Sequence, residues 1–162
     1  METPLSIEVV REFLSIATEG PPPPTEQLLR ALDDLTNAYH RAPSLPFREY
    51  PAPPNSDFGE LYKLLSSRFP QLGLYAAPEM KVVLQDVPLV GDAIDDLADI
   101  VRDLRDVCWM NSNVSPQDAN WHFRNTFETH WGQHLRDLSG YLHHLQFGYS
   151  ATESIDGITT LR

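Results

Sequence analysis

The feature that most constrains the fold is a helical pattern that runs from Ser115 to Gln146. At about 100° per residue, apolar side chains recur there at the spacing of a core-facing stripe. Ser115 is a favourable N-cap and Pro116 suits the first helical position, so the pattern predicts one long helix. The stripe consists of Phe123, Phe127, His130, Trp131, His134, Leu138, Tyr141 and Leu145.

Two histidines, His130 and His134, interrupt this aromatic face. A buried polar group without a hydrogen bond costs roughly 1–3 kcal/mol, so each imidazole must be hydrogen-bonded or bound to a metal. The i,i+4 spacing lets two imidazoles share one ion, and Asp137, one turn further on, is a candidate third ligand or hydrogen-bond acceptor. Such a pair is weakly specific by itself, and structural histidines bonded to neighbouring helices are the alternative.

The same periodicity predicts four earlier helices, whose ends carry capping residues, proline or glycine. They run over residues 4–18, 25–41, 57–69 and 90–110. Proline-rich connectors, residues 21–24 and 42–56, follow the first two helices, and Phe47 and Tyr50 are expected to hold the second connector against the body. Residues 74–88 are ambiguous, and irregular structure or short helix is expected, since a lone strand there has no evident pairing partner.

The resulting fold class is all-α, a compact bundle of about five helices with proline-rich connecting loops. A chain of 162 residues is long enough for one domain with a substantial core. We expect a single helical domain over residues 1–148 and a loosely held, polar C-terminal tail over residues 149–162.

The helix over residues 90–110 carries an apolar seam and an acidic stripe on different faces. The seam consists of Ile94, Leu97, Val101, Leu104 and Cys108. The stripe consists of Asp92, Asp95, Asp96, Asp99 and Asp103. Because the two lie roughly 130° apart on the helix, the stripe is expected to face solvent. It would then be a solvated face, a docking surface for a basic partner, or a divalent-cation site.

The charge balance excludes some classes of partner. Lys and Arg total 12 against 23 Asp and Glu, which gives a formal charge of −11. Nucleic acids and anionic membranes attract basic proteins, so neither is an expected partner. Cys108 is the only cysteine, which leaves no internal disulfide and no cysteine zinc cluster. The sequence lacks a signal-peptide pattern and a run of about 20 apolar residues, so a soluble cytoplasmic protein is expected.

Several phrases together resemble a known family. They are the Asp-Asp-Leu-Ala-Asp-Ile run over residues 95–100, Trp121 with Phe123, the Phe-Glu-Thr-His-Trp-Gly-Gln-His segment over residues 127–134, and residues 61–75. Over roughly residues 5–146 the chain resembles the bacterial family called domain of unknown function 5063. The resemblance implies a small, all-helical bacterial protein and implies no activity.

Two hypotheses about function arise from these features, and whether the protein is an enzyme stays open. The first is a non-enzymatic interaction module whose acidic face, with Asp96 and Asp99 at its centre, binds a partner protein or a second copy. The second is a divalent-metal-dependent protein, hydrolytic in its most specific form, with a site at His130, His134 and Asp137. An alternative form of this site adds Asp96 and Asp99. No nucleophile motif and no phosphate-binding glycine loop is present in the sequence. Metal content distinguishes the two hypotheses, because a solvated aspartate face holds no stoichiometric ion after dialysis. Whether the stripe and the histidines form one site stays open.

Overall fold

A computed structural model describes residues 7–77, 89–148, 153–155 and 158–160 of the chain. Its helices are α1 (Ile7–Thr18), α2 (Thr25–Arg41), α3 (Phe58–Arg68), α4 (Ala93–Asn113), α5 (Pro116–Thr126) and α6 (Gly132–Phe147), and a π turn (Phe127–Trp131) joins α5 to α6. Strands β1 (Leu74–Ala77) and β2 (Leu89–Asp92) form one antiparallel hairpin, and β3 (Glu153–Ile155) and β4 (Ile158–Thr160) form another. With α5, the π turn and α6 counted as one rod, the predicted bundle of about five helices is confirmed.

Helix α4 is the centre of the bundle, because it packs against α1, α3, α5, α6 and the π turn. Its buried residues therefore cover most of its circumference, and Asp95, Arg102 and Asp106 lie on the less buried remainder. The predicted seam is buried from Ile94 to Leu104, and Cys108 is half-buried. Further round the helix, towards the aspartates, Ile100, Val107 and Met110 are fully buried as well.

Side-chain caps explain where the helices begin. The Asp57 carboxylate accepts a hydrogen bond from the backbone N–H of Glu60 over 3.0 Å, as the capping pattern predicts. Asp92 caps α4 by accepting from the N–H of Ile94 over 2.9 Å. Helix α4 consequently starts at Ala93, three residues later than predicted, and it continues to Asn113.

The segment before α4 differs from the expectation. Residues 74–77 are a strand that pairs with residues 89–92. Of these, residues 90–92 were predicted to belong to the next helix. Tyr75 lies opposite Gly91, where an added Cβ would lie 2.3 Å from the Tyr75 ring. Only glycine at position 91 leaves room for the Tyr75 side chain to lie across the hairpin. Residues 78–88, the rest of the ambiguous segment, lie outside the described part of the chain.

The long C-terminal helix is continuous but contains a π turn. From Phe123 onward its large buried side chains are Phe123, Phe127, Trp131, Leu135, Leu138 and Leu142. The first three steps between them are four residues each, because a π turn takes more residues per turn than an α-helix. The π turn contains one residue more than an α-helical turn, and this rotates α6 about its axis. Leu145, which the sequence placed in the apolar stripe, is exposed.

The proline-rich connector over residues 42–56 packs against α5 as predicted. The rings of Phe47 and Trp121 lie 4.8 Å apart, centre to centre. The Tyr50 hydroxyl lies 3.1 Å from Nδ1 of His122. The expected loose tail after residue 148 stays a prediction, since only the short β3–β4 hairpin is described there. Within the described ranges, no helix has the length and apolarity needed to cross a membrane.

Candidate metal centre

Helix α4 and the rod that contains the π turn bring the aspartates and the histidines together. Nδ1 of His130 lies 2.7 Å from Oδ2 of Asp103, and Nδ1 of His134 lies 2.8 Å from Oδ1 of Asp96. The lower-numbered aspartate pairs with the higher-numbered histidine, so the two helices run antiparallel here. An ionised carboxylate can only accept, so each Nδ1 carries the hydrogen and donates it. In a neutral imidazole this leaves the Nε2 lone pair free to bind a ligand.

Asp99 lies between the two histidines. Its Oδ2 is 3.4 Å from Nε2 of His134, and its Oδ1 is 3.8 Å from Nε2 of His130. One donor atom from each of these three residues lies within 4.8 Å of the others. Around a tetrahedral zinc ion with bonds of about 2.0–2.1 Å, neighbouring ligand atoms are about 3.3 Å apart. The three side chains therefore have the spacing of a metal site that is slightly open.

The site concentrates negative charge in the interior. Asp96, Asp99 and Asp103 are only 6%, 8% and 8% exposed. Arg102 lies 2.6 Å from Asp99 and 3.8 Å from Asp103, and it is the arginine or lysine that pairs with these carboxylates among the described residues. Buried charge must be compensated. One guanidinium leaves excess negative charge, which either a divalent cation or protonated histidines would balance.

An outer layer of hydrogen bonds holds the carboxylates. The Tyr75 hydroxyl donates to Oδ2 of Asp96, and the Tyr62 hydroxyl donates to Oδ2 of Asp92 over 2.7 Å. Burial, followed by the bond to Asp96, raises the pKa of Tyr75, so the phenol stays a donor. The hydrogen bond to Asp96 also raises the pKa of His134, although burial acts in the opposite direction.

The structure corrects the expected position of the acidic stripe. Asp96, Asp99 and Asp103 do not face solvent, because α4 is covered by other helices on the side of the stripe as well as on the side of the seam. Of the remaining stripe residues, Asp92 is a helix cap and Asp95 is half-buried. The burial of three members leaves little of the stripe for a partner to contact.

Asp137, the proposed third ligand, lies outside the group formed by Asp99 and the two histidines. Its carboxylate accepts instead from Nε2 of Gln133, over 3.0 and 3.1 Å. Sequence reasoning also missed Tyr75 and Arg102. The sequence did contain one relevant signal, since Val107 and Met110 lie on the same side of α4 as the aspartates and mark that side as buried.

These features define the class of the molecule: a small helical bundle with a histidine–aspartate cluster at its centre. Residues 25–148 match the sequence profile of the family described as "Domain of unknown function (DUF5063)". The match covers more than half of the chain, so the protein belongs to this family, and the resemblance noted in the sequence is confirmed.

A solved structure shares the fold. The crystal structure of protein BF1032 from Bacteroides fragilis matches with a TM-score of 0.67 at 19% sequence identity, over 92% of this chain and 93% of that one. At this identity the likeness supports the fold and nothing beyond it. No curated protein is significantly similar to the chain.

Proposed function

We propose that the protein binds a divalent transition-metal ion through Asp99, His130 and His134, and that its activity depends on this ion. One observation carries the proposal: both imidazoles are oriented by buried carboxylates at Nδ1 and direct Nε2 toward Asp99. Histidine ligands of metal sites are commonly held in this way, by a carboxylate on the ring nitrogen opposite the metal.

The donor set determines which ions fit. Two imidazoles and one carboxylate suit zinc, iron(II) or manganese(II) better than calcium or magnesium, which prefer oxygen ligands. Three protein ligands leave at least one coordination position for water or substrate, which is typical of catalytic sites. A bound divalent ion would lower the pKa of that water and provide a nucleophile, so hydrolysis is the reaction class that we propose.

The metal proposal is preferred over an acidic docking surface for a physical reason. A docking surface must be accessible, whereas three of the five stripe aspartates are at least nine-tenths buried. A divalent ion needs only a small opening, and His130 is 38% exposed at its side chain. The same ion would also compensate the excess negative charge of the cluster.

The experiment is metal analysis of the purified protein after reconstitution and dialysis. We expect about one zinc, iron or manganese ion per chain in the wild type and a loss of at least tenfold in affinity in His134→Ala. His143→Ala is the matched control, since His143 is an exposed histidine on the same helix and outside the cluster. Asp99→Asn should behave like His134→Ala.

Two results would contradict the proposal. One is a wild-type protein that retains no ion at micromolar free metal, and the other is equal binding by His134→Ala and His143→Ala. In either case His130 and His134 are structural, and they hold Asp103 and Asp96 through hydrogen bonds.

A further inference from the structure

A second feature of the molecule is a cleft between strand β1 and helix α6. Its volume is about 560 Å³, within the range of small-molecule sites, which is roughly 300–1,000 Å³. Leu74, Tyr75 and Ala76 form the strand side, and Asp137, Gly140 and Tyr141 are among the residues of the helix side. The wall is mostly apolar, with a few polar groups, as in sites that bind small organic molecules.

Two tyrosines form the aromatic part of this wall. The rings of Tyr75 and Tyr141 are stacked, with their centres 5.0 Å apart and their planes 22° from parallel. Both hydroxyls are already engaged, Tyr75 with Asp96 and Tyr141 as acceptor of the N–H of Gly73 over 3.1 Å. The rings are therefore fixed, and what they offer a ligand is aromatic surface. Such surface attracts apolar groups and cations.

One carboxylate, that of Asp137, lines the cleft. Asp137 is half-buried, bonds to a neutral glutamine amide and has no ion pair in the described part of the chain. Arg136 and His144 also line the cleft, and both are exposed. The guanidinium of Arg136 lies 5.9 Å from the centre of the Phe127 ring, and Phe127 is not part of the wall. After burial and Asp96, the charge of Asp137 also contributes to the raised pKa of Tyr75, which places this carboxylate near that ring.

We infer that this cleft binds a small organic cation, an ammonium group on an apolar body, with the nitrogen at Asp137 and the body along Tyr75 and Tyr141. A carboxylate beside aromatic rings is a common recognition pattern for amines. The net charge of −11 favours the approach of cations over that of anions. The inference is independent of the proposed metal, because neither Asp137 nor Tyr141 belongs to the metal group.

The test compares three probes of similar shape and different charge, using wild-type protein treated with chelator so that no metal takes part. The probes are 2-phenylethylammonium, neutral 2-phenylethanol and anionic phenylacetate, and binding is followed by amide chemical shifts in NMR titrations. We expect the amine to bind about tenfold tighter than the alcohol, a difference of about 1.4 kcal/mol, and the carboxylate to bind weakest. The shifts should centre on Leu74 and Gly140.

Two pairs of variants locate the site. Asp137→Asn should lower amine affinity to the level of the alcohol, whereas Asp33→Asn, which removes an exposed charge on α2, should leave it unchanged. Gly140 lies in the wall of the cleft, so Gly140→Leu should block all three probes. The variant should keep the fold, because a Cβ at Gly140 meets no atom within 4 Å. Circular dichroism of each variant checks the fold.

Several outcomes would overturn the inference. They are equal affinity for the amine and the alcohol, tighter binding of phenylacetate, unchanged amine binding in Asp137→Asn or Gly140→Leu, and no saturable shift at about 10 mM amine. Because the titrations use metal-free protein, none of these outcomes depends on whether the metal proposal holds.

Discussion

His130 and His134 differ from structural histidines in the surroundings of their Nε2 atoms. A structural histidine is satisfied when both ring nitrogens have hydrogen-bond partners. Here the Nδ1 atoms have short bonds to Asp103 and Asp96, while the Nε2 atoms face Asp99 at 3.8 and 3.4 Å. These longer distances suit ligands of a common ion better than direct hydrogen bonds, whose N–O distances are about 2.7–3.2 Å.

If Asp103 orients His130 for a metal, Asp103→Asn should weaken binding without removing a ligand. We expect metal affinity to fall about tenfold to a hundredfold, because an amide holds and polarises the imidazole less well than a carboxylate does. Competition with a chromophoric chelator measures the affinity. Asp33→Asn is the control for charge, and equal affinity of the two variants would show that Asp103 does not act through His130.

The stability of the protein should depend on pH through Asp106, which lies one turn beyond Asp103 on α4. Burial and the charge of Asp103 raise its pKa from 3.8 to about 6, although Arg102 acts in the opposite direction. The folded protein therefore holds this proton more tightly than the unfolded chain does. The stability that this group contributes is complete below about pH 4 and is lost as the pH rises through about 6.

Asp106→Asn should accordingly stabilise the protein at pH 7.5 and have little effect at pH 4. With partial solvent screening, the gain at pH 7.5 should be about 1 kcal/mol, or roughly 3 °C in melting temperature for a chain of this size. Thermal melts of both proteins across this pH range make the measurement. An equal shift at both pH values would show that the effect does not come from titration of Asp106.

At the scale of elements, the π turn is the feature that places the histidines. It contains His130, and α6, with His134, begins directly after it. One extra residue in a helix rotates the rest of that helix by about 100°. The hydrophobic periodicity predicted the rod from Ser115 onward but not this rotation, because three successive four-residue steps fit a slightly irregular α-helix as well as a π turn. Its position depends on packing against α4, which a single sequence does not display.

Two glycines of α6 allow a matched test of the π turn. A Cβ at Gly132 would lie 2.2 Å from the carbonyl oxygen of Phe127, whereas a Cβ at Gly140 meets nothing within 4 Å. Gly132→Ala should therefore disrupt the turn and destabilise the protein by about 2–4 kcal/mol. Gly140→Ala should stabilise it by about 0.5–1 kcal/mol, because alanine is the better helix former.

Urea unfolding curves give both free energies. The Gly132→Ala variant should also bind metal more weakly than the wild type under native conditions, since the turn positions His130. Similar stabilities for the two alanine variants would mean that the turn relaxes to an α-helix at little cost, and that it is not needed to place the histidines.

At the scale of the whole molecule, the site exists because α4 is enclosed. The sequence predicted the helices, most of their ends, the histidine pair and the aspartates as separate features. It did not predict that they meet, because angles on one helix say which residues share a face and not which neighbour covers that face. The strand pairing of Tyr75 with Gly91 was missed for a similar reason, since it joins residues on either side of an 11-residue segment, 78–88.

A metal ion at this site would cross-link α4 to the C-terminal rod, and it would bind the folded chain more tightly than the unfolded one. Metal should therefore stabilise the folded protein by mass action and raise its melting temperature. When the free ion is a thousandfold above its dissociation constant, the free energy of unfolding should increase by about 4 kcal/mol. For a chain of this length that is roughly 10 °C. Chelator should reverse the shift in the wild type and in His143→Ala.

His134→Ala separates this effect from a general loss of stability. The variant should melt lower than the wild type in chelator, because it leaves the buried Asp96 without its partner. It should also show no further change when metal is added. A metal-induced shift of equal size in His134→Ala and the wild type would place the ion elsewhere on the molecule. If metal shifts neither protein, His130 and His134 serve as structural hydrogen-bond partners of the α4 carboxylates.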